Sequence, residues 1–344
     1  MARWASLLYI CCTALLGCGG SSGSPDKNVS MPISPAPPQA PITIESLVEQ
    51  AADNADVAGV IAYVQQRSNA ANLFAAGYSD LNANTTISST DQFKIASISK
   101  LFIAVGATKL ISAQRLHLSD SLAVWLPELS NRIENAESIT VELLIEHRSG
   151  VPDFDSQSGF SWENAHTSLS DTLDFALDKP ADFSPNARYE YSNTNYLLLG
   201  LIMDRLLSFN HEQMLIDDII ATLELNDTVL QQANADQQRL VHGYWNDVDR
   251  FDQVYAIPGG SMVSTIDDVG RFIRALNDGS LMTEEEQNFY RYFYNHSGWV
   301  PGYQSIAGYH QSTDSVVVIF VNSTGGASES IIRSTYDSIV DSLD

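Results

Sequence analysis

The chain has 344 residues, 44% of them hydrophobic, enough for one large core or two lobes and too apolar for a disordered chain. A net charge of −24 and a pI near 4.4 exclude nucleic acid as a partner, and exclude charge-driven binding to anionic lipid. The only lysines are Lys27, Lys94, Lys100, Lys109 and Lys179, so one set in an apolar run stands out.

Residues 1–18 read as a targeting segment. Arg3 supplies a small positive region, and residues 5–16 form an apolar stretch too short to span a bilayer as a mature helix. Leu15-Leu16-Gly17-Cys18 looks like a bacterial lipobox, in which Cys18 is lipidated and becomes the new N-terminus; the alternative is an ordinary secretory signal cut nearby. Cys11 and Cys12 would leave with the signal, so no internal disulfide and no cysteine metal site is expected. Residues 19–41 are rich in Gly, Ser and Pro and read as a tether. The expectation is an envelope protein held to a membrane, at its extracytoplasmic face, by a lipid anchor only.

Residues 42–54 have helical spacing. Residues 57–65 and 72–78 read as a hairpin around Arg67-Ser68-Asn69. Residues 93–100 end in Ser97-Ile98-Ser99-Lys100, and 101–111 continue apolar on nearly every side, which predicts a buried helix with Ser97 in its first turn. A turn and short helix stopped by Pro127 follow, then a helix capped by Thr140 and broken at 149–152, and a further helix over 169–177. Residues 196–209 are strongly helical, 211–223 amphipathic, and 231–252 polar enough to predict a surface excursion. A helix over 265–276, strands over 293–298, 303–310 and 315–322, and a closing helix over 327–343 complete the chain. Strands therefore gather at both ends. The predicted architecture is an α/β lobe of 42–114 plus 256–344 with a helical lobe of 115–255 inserted, the two meeting at a pocket.

Lys100 lies on the same helical face as Ser97. Burial lowers a lysine's pKa, and a near-neutral amine beside a serine hydroxyl is a way to make a nucleophile. The alternative is a snorkelling lysine and a capping serine. In Tyr191-Ser192-Asn193, Tyr191 is a candidate proton relay if a neighbouring ammonium depresses its pKa, and Asn193 a candidate to bind a substrate amide or Lys100; the alternatives are packing for Tyr191 and a helix cap for Asn193 or Asn195. In His296-Ser297-Gly298-Trp299, the glycine allows close approach to backbone, the Trp299 N–H is a candidate oxyanion donor, and His296 is a candidate to orient or charge-pair with substrate. His117, His147, His166, His211, His242 and His310 read as structural or surface residues. There is no His-Glu-x-x-His pattern, and no Gly-x-Ser-x-Gly elbow in the folded body, so metal hydrolysis and the α/β-hydrolase triad drop out.

Taken together, these stretches resemble the penicillin-recognising serine hydrolases, which include class C β-lactamases, D-Ala-D-Ala carboxypeptidases, D-aminopeptidases and family VIII esterases. Ser97-Ile98-Ser99-Lys100 matches the family's Ser-x-x-Lys, Tyr191-Ser192-Asn193 its Tyr-x-Asn, and His296-Ser297-Gly298 its Lys/His-x-Gly. Residues 143–152 and 259–265 also look familial, so the resemblance covers about 42–344. It implies an α/β (α+β) fold of the β-lactamase/transpeptidase type, an antiparallel sheet flanked by helices with an inserted all-helical lobe. It implies acyl transfer without a cofactor: Ser97 attacks, Lys100 takes its proton, Tyr191 relays protons, Asn193 positions substrate and Lys100, and the N–H groups of Ser97 and Trp299 hold the oxyanion.

Three departures bear on substrate. His296 stands where class C β-lactamases have lysine, and a histidine charge is conditional near neutral pH. Trp299 is bulky where small residues are common. Pro185-Asn186 replaces the family's Pro-Gly. The expected substrates are D-amino-acid peptides, a peptidoglycan stem peptide among them, or small esters. β-Lactamase activity is the weaker branch, and the alternative is a lipid-anchored penicillin- or peptidoglycan-binding protein with little turnover.

Overall fold

The computed structural model describes residues 42–164 and 168–344. The targeting segment, Cys18, the tether and His166 lie outside the described residues.

A six-stranded antiparallel sheet organises the body. Its order is Thr85–Thr86, Asn72–Asp80, Gly59–Gln66, Ser315–Val321, Tyr303–His310 and His296–Val300. Strands from the two ends of the chain meet at its centre, where Val60 pairs with Val321 and Gln66 with Ser315. The register follows from the side-chain alternation of a strand buried on both faces. Val60, Ala62 and Val64 face one way, onto the helices Ile44–Ala52 and Ser328–Asp341. Ile61 and Tyr63 face the other way, into the large core with Val316, Val318 and Phe320.

That core is filled by the helix Ser99–Ser112, buried on nearly every side as its composition predicts, and by Ile266–Asp278, with Phe102 stacked on Phe272 at 3.7 Å between ring centres. The helices Val141–Ile145 and Asn193–Leu207 pack beside them. Thr140 caps as expected, accepting the Leu143 N–H, and Thr265, predicted as the first helical residue, is instead the cap of its helix and accepts the Asp268 N–H.

The short helix Leu122–Trp125 stops before Pro127 as expected, and the proline opens a separate 3₁₀ turn over Pro127–Leu129, since a first turn needs no proline N–H. Other expectations are corrected. The stretch 231–252 is not a surface excursion: Leu240, Val241 and Tyr244 are buried, and Tyr244–Trp245 pairs with Val248–Asp249. The strand expected from 293 begins at His296, because Tyr292 is buried and turned inward beneath the site while Phe293 stays exposed at its mouth. Asn186 takes the glycine's place with φ of 66°, and its side-chain oxygen accepts from Arg148 Nε at 2.8 Å.

Candidate active site

The strand Gln92–Lys94 pairs with Val263–Thr265, and the Ile95 N–H donates to the Met262 carbonyl at 3.0 Å. The chain then turns sharply: Ala96 has φ of 49°, a left-handed conformation uncommon for alanine. Ser97 therefore sits in a 3₁₀ turn, Ala96–Ile98, just ahead of the long helix and not in its first α-turn. Lys100 lies in that first turn, 1% exposed.

Three acceptors surround Lys100 Nζ: Ser97 Oγ at 3.0 Å, Asn193 Oδ1 at 2.8 Å and the Gly259 carbonyl at 3.1 Å. The two carbonyl oxygens can only accept, so they hold two N–H bonds in either protonation state. The third direction faces a hydroxyl, which can accept from an ammonium or donate to a free amine. The proton that moves is therefore the one between Lys100 and Ser97. Burial lowers the Lys100 pKa to about 7, with Asp153 and Asp155 acting in the opposite sense, so the free amine is populated near neutrality. Gly259 has φ of 75°, and a Cβ there would press on Lys100 Cγ, so a side chain would displace the base.

The Tyr191 hydroxyl donates to Ser97 Oγ at 3.0 Å. The expectation that a neighbouring ammonium depresses the Tyr191 pKa is corrected: burial pushes it up, so the tyrosine stays protonated and acts as a donor. Asn193 is the first residue of its helix and caps nothing. Ser192 is the N-cap, without a side-chain bond. Asn193 Nδ2 instead donates to Asp153 Oδ2 at 3.1 Å and to Asp155 Oδ2 at 3.2 Å.

Ser97, Lys100, Tyr191, Asn193, His296, Ser297 and Trp299 all line one cavity of about 530 Å³. Gly298 lies behind it, where a Cβ would collide with the Ile95 carbonyl and the Ser305 hydroxyl; this close approach brings the last strand against the Ser97 turn. His296 is not a charged group: burial, then the Lys100 charge, lower its pKa to about 4. Trp299 Nε1 donates to Glu329 Oε1 at 3.3 Å, and its ring meets that of Trp162 at 6.2 Å.

Residues that the motifs did not single out complete the site. Asp153 and Asp155 line the cavity, their carboxyl pKa values raised by burial and, for Asp153, by the charge of Asp155. Asp153 Oδ1 is buried without a hydrogen bond among the described residues. Trp162 forms part of the wall. His147, read as a structural or surface residue, is fully buried with φ of 55°, and its ring packs against that of Tyr191, 4.4 Å between centres and tilted by 31°. The acids follow directly on the 143–152 stretch, and an acid pair two residues apart in a turn was the one signal available for them.

The Beta-lactamase family profile matches residues 44–291. The chain belongs to the Beta-lactamase family. Among curated members it is 30% identical to Protein flp of Staphylococcus aureus (strain MW2) over 169 residues, 49% of this chain and 34% of that protein. It is 26% identical to Penicillin-binding protein 4* of Bacillus subtilis (strain 168) over 188 residues, 53% of this chain and 40% of that one. The matches thus span well under half the length of these relatives. Among solved structures, the D-amino acid amidase from Ochrobactrum anthropi SV3 is similar with a TM-score of 0.76 and 25% identity, covering 87% of this chain and all (100%) of that one. The antiparallel sheet with flanking helices is this family's fold, and the pocket brings together the Ser97-x-x-Lys100, Tyr191-x-Asn193 and His296-x-Gly298 stretches.

Proposed function

We propose that the protein is a serine acyl hydrolase that cleaves amides or peptides whose acyl group carries a free amine, a D-aminopeptidase- or D-amino-acid-amidase-like activity. The observation that carries this reading is the pair Asp153 and Asp155 in the same cavity as Ser97. Two partly buried carboxyls whose pKa values burial raises, that of Asp153 also raised by the charge of Asp155, are best ionised beside a cation, and a substrate ammonium supplies one. A neutral His296 offers no cation to a substrate carboxylate, which disfavours the carboxypeptidase and β-lactamase branches. The likeness to the D-amino acid amidase supports the same reading, and so does the aromatic wall of Trp162 and Trp299, since that amidase has been solved with phenylalanine and with its amide.

In this mechanism Ser97 Oγ attacks the carbonyl carbon while its proton passes to the Lys100 amine. The oxyanion is received by the backbone N–H groups of Ser97 and Trp299. Lys100 returns the proton by way of the Tyr191 hydroxyl to the leaving nitrogen, and the C–N bond breaks. Water then attacks the ester and gives its proton back through the same pair, which releases the acid and restores Ser97. A lipid anchor at Cys18 would place this chemistry in the envelope, a proposal that rests on residues 15–18.

The test compares a D-aminoacyl amide, its N-acetyl form, a D-Ala-D-Ala peptide, a p-nitrophenyl ester and a cephalosporin, with Ser97→Ala as control and the acyl-enzyme followed by intact mass. The free-amine substrate should be preferred over its N-acetyl form by about 30-fold or more, the cost of leaving a buried charge unpaired. Asp153→Asn should erase that preference. Equal rates on both forms would overturn the amine reading, and turnover by Ser97→Ala would overturn the serine mechanism.

A further inference from the structure

The hydrogen bonds behind His296 run in one direction. The Ser192 N–H donates to His147 Nδ1 at 3.2 Å, and a peptide N–H can only donate, so that nitrogen carries no proton. The Asn195 amide agrees. Its oxygen accepts from the Ser149 hydroxyl at 2.6 Å, which turns its Nδ2 towards the same His147 Nδ1 at 3.4 Å. His147 is therefore neutral with its proton on Nε2. That N–H faces the Tyr292 hydroxyl oxygen at 3.3 Å, so Tyr292 accepts there and gives its own proton to His296 Nε2 at 2.8 Å. His296 is left with a proton on Nδ1, which donates to the Ser297 carbonyl.

We propose that His147 and Tyr292 are positioning residues that hold His296 as a neutral imidazole with Nε2 as an acceptor, so that the third motif presents substrate with no cation. Protonating His296 would put an N–H opposite the Tyr292 oxygen. Tyr292 would then have to turn its proton towards His147 Nε2, which is free to accept only if the His147 proton moves to Nδ1, against the Ser192 N–H. The other outlet for the Tyr292 proton is the Tyr196 hydroxyl, which already hydrogen-bonds Tyr292 and would itself have to turn to the Ile145 carbonyl at 3.5 Å, so either way of reversing the train gives up a bond it now holds.

The surroundings favour the same state. The groups that face His296 are Tyr292, the Tyr191 ring at 6.2 Å, the Phe293 ring and the Lys100 ammonium, while its partner on the neighbouring strand is Ala307. None is an acid. Behind Tyr292, Tyr196 packs on the His147 ring, and burial and the Lys100 charge hold His147 itself down at about 3. The left-handed backbone at His147 shows a residue held in place by its surroundings, packed against Tyr191 while it orients Tyr292. One buried imidazole thus ties the second motif to the third. Its effect on substrate, the rejection of a carboxylate at this corner, rests on the amine reading above, but the tautomer of His296 does not.

The test is histidine-selective ¹⁵N NMR of the full chain from pH 4 to 8, with His296 assigned by His296→Gln. Wild type should show His296 as the Nδ1–H tautomer, unchanged from pH 8 down to pH 5. In Tyr292→Phe the midpoint should rise by about one pH unit, the effect of losing one hydrogen bond to the neutral form. In the same variant, kcat/KM for the preferred substrate should gain an added inflection, which a purely structural loss would not produce. A wild-type His296 that titrates near 6.5, or that carries its proton on Nε2, overturns the proposal, as does a Tyr292→Phe profile identical to wild type. If Tyr292→Phe does not fold, the wild-type spectrum alone decides. The spectra need no substrate, so failure of the amine reading leaves this result standing.

Discussion

Lys100 has two neighbours that can only accept and one that can do either, and this asymmetry suits it to the part of base in the proposed mechanism. Its ammonium form has no lone pair for the Ser97 proton. Burial lowers its pKa from 10.5 to about 7, so the active free amine dominates above pH 7 and is lost as pH falls. The kcat/KM of wild type should therefore be level above about pH 7.5 and fall tenfold per unit below about pH 6.5, measured from pH 5 to 9 under substrate-limited conditions. A profile flat down to pH 5 would show that Lys100 is not the base. Lys100→Met should lower kcat/KM by about 10²- to 10⁴-fold, the usual reach of a general base. Lys109→Met is the matched control: on the same helix, it pairs with Glu286 at 3.4 Å away from the cavity and should change the rate little. Equal losses in the two variants would mean that the effect comes from the helix and not from the site.

At the scale of elements, the site depends on how closely the strand His296–Val300 approaches the Ser97 turn. Gly298 sets that distance. Gly298→Ala should push the strand outward by about 1 Å, since its Cβ would otherwise overlap the Ile95 carbonyl oxygen, and kcat should fall by about 10- to 100-fold while circular dichroism stays native, because misplacement of this size is costly for an oriented reaction. An unchanged kcat would show that the strand has slack. The elements that could be read from sequence were those with a local cause: the apolar helix after Ser97, the hairpin, and the threonine cap at 140. The grouping of Ser97, Lys100 and Tyr191 was equally legible, since each sits in a short motif and the three are hydrogen-bonded in one cavity. Asp153, Asp155 and Tyr292 were not. The acids meet Asn193 from about forty residues away, a contact that no spacing rule records, and Tyr292, though only four residues from His296, takes its role from the turn that folds it back beneath that residue. His147 was hidden for another reason: a buried histidine is usually only a satisfied core residue, and it takes the direction of its hydrogen bonds to show what it orients.

For the whole molecule, the sheet joins the two ends of the chain, so the fold is complete only when residues 59–66 meet 315–321. Such long-range closure brings a strongly acidic surface together, with 42 Asp and Glu against 18 Lys and Arg. Two opposed electrostatic effects follow. Net repulsion favours the expanded chain. Exposed pairs such as Arg205 with Glu128 and Arg132 with Asp178 favour the folded one, but each contributes only about 0–1 kcal/mol. Salt screens both, and the sign of its effect shows which is larger. The Debye length falls from about 10 Å at 0.1 M to about 3 Å at 1 M, so repulsion between distant charges is removed first and close pairs last. Tm at pH 7.5 should therefore rise with NaCl, by about 2 °C or more between 0.02 and 0.5 M, a change of order 1 kcal/mol for a chain of this size. At pH 4.5, where many carboxylates are protonated and the net charge is smaller, the same titration should give a smaller rise. A Tm that falls with NaCl at pH 7.5 would mean that the local pairs, and not the summed charge, govern the stability of this fold.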